Sequence, residues 1–88
     1  MSVRVETGQG ACGHALSLSG EVLALHLDRP FAPGAPIDLS LHAGEGAPAS
    51  LRVKTIDSKR RQDGSFDVRT RGVSIPRETR ARLEASLA

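Results

Sequence analysis

The side chains of this sequence with chemistry to offer are three histidines, one cysteine and a dense set of basic residues in the second half. No nucleophile pattern accompanies His14, His26 or His42, so none of them reads as a catalytic base. His26 and His42 fall on strand faces opposite the leucines, which suits solvent-side or cross-strand residues. A metal held there would need a third ligand that the sequence does not name. Cys12 is the single cysteine; it cannot form an internal disulfide and cannot alone make a zinc site. It lies in a glycine-rich stretch and reads as a plain small residue, because nothing near it in sequence lowers a thiol pKa. Gly8-Gln9-Gly10 lacks both the later glycine of a dinucleotide fingerprint and a following Gly-Lys-Ser/Thr, so it is not a phosphate loop. The residues therefore predict no enzyme, no metal site and no cofactor.

The basic residues are the remaining candidates. Residues 1–50 carry two basic against five acidic side chains, a balance of −3, whereas residues 51–88 carry ten against five, a balance of +5. Such a split marks a surface for nucleic acid, nucleotide or an acidic partner, or else solvated strand and helix faces. Arg52, Lys54, Lys59, Arg60, Arg61, Arg69 and Arg71 form the candidate basic interaction face. Proteins that bind single-stranded nucleic acid add aromatic stacking platforms to a basic groove. Only Phe31 and Phe66 are aromatic, and Phe66 is predicted to face inward. Nucleic acid would thus be held by phosphate contacts alone, nonspecifically and with strong salt dependence.

The elements that must position these residues follow from periodicity. Leu23, Leu25 and Leu27 alternate with Val22, Ala24 and His26, and Ile37, Leu39 and Leu41 alternate with Asp38, Ser40 and His42, which predicts two half-buried strands. Arg29 to Pro36 carries three prolines and a glycine in eight residues and forces a turn between them. Ala43 to Ala49 reads as a loop. Leu51, Val53 and Thr55 point inward, with Arg52 and Lys54 outward, and the strand continues polar to Arg61. Gln62-Asp63-Gly64 turns the chain into a strand with Phe66 and Val68 inward and Asp67, Arg69 and Arg71 outward. Ser2 to Glu6 and His14 to Ser19 are two further short strands with weaker alternation. The period then changes: Ser74 serves as an N-cap, Pro76 fits the first turn, and Thr79, Leu83 and Leu87 recur at four-residue spacing. A helix over 75–87 is predicted to pack Ile75, Leu83 and Leu87 on the sheet or barrel mouth. The expectation is one mostly β domain over 1–88: a small antiparallel six-stranded barrel with a C-terminal helix, residues 1–13 being a short strand and a flexible loop. Eighty-eight residues with 39% hydrophobic and 2% aromatic content require an aliphatic core and leave no room for a second domain. No apolar run approaches the roughly 18 residues of a membrane span, and Met1 leads into polar sequence, so a cytoplasmic protein is expected.

The order of these parts resembles a PilZ domain. The likeness runs over roughly residues 14–88, through Ala15-Leu16-Ser17-Leu18-Ser19-Gly20, Glu21-Val22-Leu23-Ala24-Leu25, Arg29-Pro30-Phe31-Ala32-Pro33-Gly34 and Ile37-Asp38-Leu39-Ser40-Leu41. It continues in the hairpin Leu51-Arg52-Val53 to Asp63-Gly64-Ser65-Phe66-Asp67-Val68 and in Arg80-Ala81-Arg82-Leu83 of the closing helix. The resemblance implies a six-stranded barrel that binds cyclic di-GMP through an Arg-x-x-x-Arg motif on an N-terminal segment and an Asp/Asn-x-Ser-x-x-Gly motif on the barrel. Guanidinium forks suit bidentate recognition of guanine and phosphate. Here Ser17 and Gly20 match the second motif, while Ala15 stands at its Asp/Asn position. No two arginines lie four apart in the sequence, and only fourteen residues precede Ala15.

The resemblance therefore implies a divergent member that does not bind cyclic di-GMP in the usual way and acts through a protein partner, in a role such as the control of bacterial motility or pili. The alternative is a binder of cyclic di-GMP, another nucleotide or nucleic acid through the basic half. A short N-terminal strand is also expected to leave an unpaired barrel edge, open to a partner strand or to a second copy in a homodimer.

Overall fold

The computed structural model describes residues 3–42, 47–72 and 75–87. Its elements are β1 (Val3–Thr7), β2 (Cys12–Ser19), β3 (Val22–Leu27), β4 (Pro36–His42), β5 (Ala49–Arg60), β6 (Phe66–Gly72) and α1 (Arg77–Leu87). The six strands close into an antiparallel barrel in the order β1-β2-β3-β6-β5-β4, with β4 returning to β1. The neighbours β4-β1-β2-β3 form a Greek key. The predicted class, a small six-stranded antiparallel barrel with a C-terminal helix, is the one observed. The Ser2 start of β1, residues 43–46 of the β4–β5 loop and the Ser74 cap lie outside the described residues.

Alternation builds the interior. Val3 and Val5 of β1, Leu23, Leu25 and Leu27 of β3, Ile37, Leu39 and Leu41 of β4, Leu51 and Val53 of β5 and Val68 of β6 are buried together in one cluster. A barrel of so few strands is filled by its own side chains. Two threonines share this interior. Thr70 donates its hydroxyl to the Leu23 carbonyl at 2.8 Å, and Thr55 donates its hydroxyl to the Ala35 carbonyl at 3.0 Å, so neither is buried unpaired. Phe31 and Phe66 pack against the cluster as half-buried rings.

The helix begins where the Arg80 amide donates to the Pro76 carbonyl at 2.9 Å. Leu83 is buried in the barrel cluster, and Ile75 and Leu87 pack against it, so α1 covers the end of the barrel beside β1 and β2. Arg80 fastens it by donating to the Gly20 carbonyl at 2.6 Å, and Arg82 donates to the Ala47 carbonyl at 3.2 Å.

Two β-bulges shift the side-chain phase. In β2 the register slips between Ala15 and Ser17, so Ala15 points inward and Leu16, 47% exposed, points out. The weak alternation of this segment is the trace of that bulge. In β5 the register slips between Thr55 and Asp57. Strict alternation from Leu51, Val53 and Thr55 would carry Asp57 inward; the extra residue, Ile56, turns it outward instead. Ser58 then falls on the other face, where its hydroxyl accepts from the Phe31 amide at 2.9 Å and donates to the Phe31 carbonyl at 2.7 Å.

The expectation of an unpaired edge fails. β1 pairs with β2 on one side and β4 on the other despite its five residues. Along β5 past its pairing with β4, the proline turn takes over: the Gly34 amide donates to the Thr55 carbonyl at 2.7 Å and the Thr55 amide to the Ala35 carbonyl at 2.9 Å. Closure satisfies the backbone groups that a strand-adding partner would need.

Candidate interaction face

The outer surface of β5 and β6 is ordered into cross-strand rows. Residues directly opposite in an antiparallel pair share a face, so register alone decides which charges meet. Asp38 of β4 stands opposite Arg52, Lys54 opposite Arg71, Asp57 opposite Arg69, and Lys59 opposite Asp67. Arg60 is set opposite Phe66, on the other face of the hairpin. Of the predicted basic face, the register thus brings Arg52, Lys54, Lys59, Arg69 and Arg71 together on one surface, with Arg61 at its end, and leaves Arg60 out.

Three of these cations have carboxylates of their own. Arg52 Nε donates to Asp38 Oδ1 at 2.9 Å. Arg69 grips Asp57 with two donors, Nε on Oδ1 at 3.0 Å and Nη2 on Oδ2. Arg61 Nε lies 3.2 Å from Asp67 Oδ2. The hydrogen bond from Arg69 holds the Asp57 carboxyl below the usual carboxylate range, and Arg52 does the same to Asp38. These pairs are solvent-exposed and serve alignment more than stability. Among the described residues, no carboxylate lies within ion-pair distance of Lys54, Lys59 or Arg71.

The hairpin tip is built around Gly64. The loop Gln62-Asp63-Gly64 closes by the Gly64 amide donating to the Arg61 carbonyl at 3.1 Å and the Arg61 amide to the Ser65 carbonyl at 2.8 Å. Gly64 takes a φ of 87°, which this three-residue hairpin requires. Asp63 Oδ1 accepts from the Ser65 amide at 2.9 Å, and the contacts from Ser65 lower the Asp63 pKa. The tip holds Arg61 where its Nη1 reaches His26 Nδ1 at 2.9 Å. Since a guanidinium has donors only, Nδ1 serves as the acceptor in this contact.

The histidines fall in two separate cross-strand pairs. His26 stands opposite His14 across β2–β3, and His42 stands opposite Arg4 across β1–β4. The pairing of His26 is therefore with His14 and not with His42. Among the described residues no group of three metal-ligating side chains converges. Cys12 is exposed and donates Sγ to Asp28 Oδ2 at 3.6 Å, while Asp28 Oδ1 accepts from the Cys12 amide at 3.1 Å. The Asp28 charge raises the Cys12 pKa, and the Cys12 amide lowers that of Asp28.

Ser17 and Gly20 occupy the barrel end near α1. Ser17, exposed, follows the β2 bulge opposite Ala24, and Gly20 lies in the β2–β3 turn with its carbonyl engaged by Arg80. Ala15, five residues before Gly20, is 5% exposed and turned into the core.

Sequence reasoning found the cations and missed their partners. Asp38, Asp57 and Asp67 were legible as outward or polar residues, but which arginine each meets depends on register and on the Ile56 bulge. Among the described residues no helix is long and apolar enough to cross a membrane. No protein-family model, curated protein or solved structure matches this chain.

Proposed function

We propose that the chain is a non-enzymatic interaction domain of PilZ-like build, which engages a protein partner and does not hold cyclic di-GMP in the way usual for PilZ domains. The support for the likeness is the order of elements and the residues quoted for it. The observation that carries the non-binding part is Ala15: the position that should offer a carboxylate or amide to the ligand site instead places a methyl group in the barrel core. A role in bacterial motility or pilus control rests on the resemblance alone.

Calorimetry with cyclic di-GMP at physiological salt tests this reading. No heat of binding is expected. Micromolar affinity, lost on Arg69→Ala or Arg71→Ala, would overturn it in favour of the alternative, a nucleotide binder using the basic half. That alternative draws on the uncompensated charge of Lys54, Lys59 and Arg71. Binding to a nucleic acid that vanishes at moderate salt would reflect nonspecific charge only.

A further inference from the structure

We infer that the outer face of β5 and β6 is a docking surface for an acidic segment of a partner protein, with a partner carboxylate seated between Lys54 and Arg71. The inference rests on the protein-partner reading above and names the partner's chemistry. Lys54 and Arg71 are directly opposite across the β5–β6 ladder, both exposed. Like charges in that position repel one another and destabilise a sheet. Their row is completed by Pro36 on β4 and Val22 on β3, so neither flank supplies a carboxylate. The rows on either side do have one: Arg52 is matched by Asp38 and Arg69 by Asp57. Besides the single Lys59 near the hairpin tip, whose opposite residue Asp67 is taken by Arg61, this row is where the face is left unbalanced, and here two cations face each other; an anion from outside removes the repulsion and meets both a lysine ammonium and a guanidinium fork.

The same pattern discriminates between partners. A nucleic-acid backbone carries a phosphate at every step and favours an unbroken run of free cations. On this face such a strand would run over Asp38, Asp57 and Asp67, and its next row beyond Lys54 and Arg71 is already neutral. Neighbouring strands lie about 4.8 Å apart, so a carboxylate between Lys54 and Arg71 is about 7 Å from Pro36 on one side and from Val22 on the other, the repeat with which an extended peptide lying across the strands presents alternate side chains. A peptide with one carboxylate at the cationic row and an apolar side chain over Pro36 or Val22 matches the sequence of charges; a polyphosphate does not.

The test titrates the isotopically labelled chain with a capped Val-Ala-Glu-Ala-Val peptide and, in parallel, with a single-stranded oligonucleotide, at physiological salt, reading backbone amide shifts. The peptide is expected to move the amides of Lys54, Arg71 and their row neighbours. The double variant Lys54→Gln/Arg71→Gln should weaken this binding about tenfold, whereas a double loss of charge at exposed positions off this face, Arg29→Gln with Arg77→Gln, leaves it unchanged. Removing the repulsion should also leave the double face variant at least as stable as the parent, which separates lost binding from lost folding. Peptide shifts confined to other surfaces, or none at millimolar peptide, overturn this site while leaving the cyclic di-GMP prediction to its own calorimetry. Tighter binding of the oligonucleotide than of the peptide, through Lys54 and Arg71, overturns the choice of a protein partner.

Discussion

At the scale of single residues, the chemistry of this barrel is set by short-range pairing on an exposed surface. Cys12 is the clearest case, because exposure alone would make it look reactive. Asp28 places a negative charge beside its sulfur and accepts its proton, raising the pKa and keeping the thiol in its less nucleophilic form. Asp28→Asn removes that charge while an amide oxygen can still accept from the Cys12 amide. Alkylation of Cys12 by iodoacetamide at mildly alkaline pH should then run severalfold faster than in the parent chain; an equal rate would mean that Asp28 does not control the thiolate. Gly13, next in sequence, is constrained by space: a Cβ there would lie 1.8 Å from the His26 carbonyl oxygen, so only glycine lets β2 and β3 approach this closely. Such constraints are illegible in the sequence, which shows a glycine-rich stretch and no sign of the strand beside it.

At the scale of elements, the two bulges decide which way the chemistry points. In β5 the partners of Thr55 and Asp57 are the consecutive residues Thr70 and Arg69, so Ile56 is the unpaired residue of the bulge. Deleting Ile56 joins Asp57 directly to Thr55, and plain alternation then keeps Asp57 outward opposite Arg69 and Ser58 inward beside Phe31. Urea denaturation of the deletion variant is therefore expected to keep a single cooperative transition, as is that of Ile56→Ala. Loss of that transition on deletion would show that closure of the barrel needs the bulge itself and not only the alternation on either side of it. The strands themselves were readable because alternation in β3 and β4 is clean and a half-buried strand has no other way to satisfy it. The register slips were not, apart from the blurred alternation of Ala15 to Leu18, because a bulge is selected by the partner strand and by the curvature of a closing barrel. The helix was readable from its four-residue spacing; its attachment through Arg80 to the Gly20 carbonyl was not, since it joins residues 60 positions apart.

At the scale of the whole molecule, closure and surface charge govern behaviour. Closure removes the strand edge on which self-association was expected to rest. Surface charge sets the response to acid. Asp28, Asp38, Asp57 and Asp63 all have pKa values lowered below 3.8 in the folded chain. A carboxylate whose folded pKa is depressed adds stability that is fully present above its unfolded value and is lost as pH falls through the folded value. These four groups accordingly contribute no slope above about pH 5 and a progressive loss below about pH 4. The urea midpoint should fall across that acid window, and Asp57→Asn should make the fall shallower. A parent chain whose midpoint is flat down to the acid limit would show that the arginine pairs do not act on stability at all.

Composition and periodicity by themselves determined that this chain is one aliphatic-cored barrel with a basic second half, because alternating leucines and valines can be buried in only one way and the turn residues allow few connections. They also located the cations. Only the tertiary structure decided that β1 closes the barrel, that Asp38, Asp57 and Asp67 each take one arginine, and that Lys54 and Arg71 are left facing each other. The physical reason is that charge pairing on a sheet is a property of register, and register is set jointly by strands far apart in the chain.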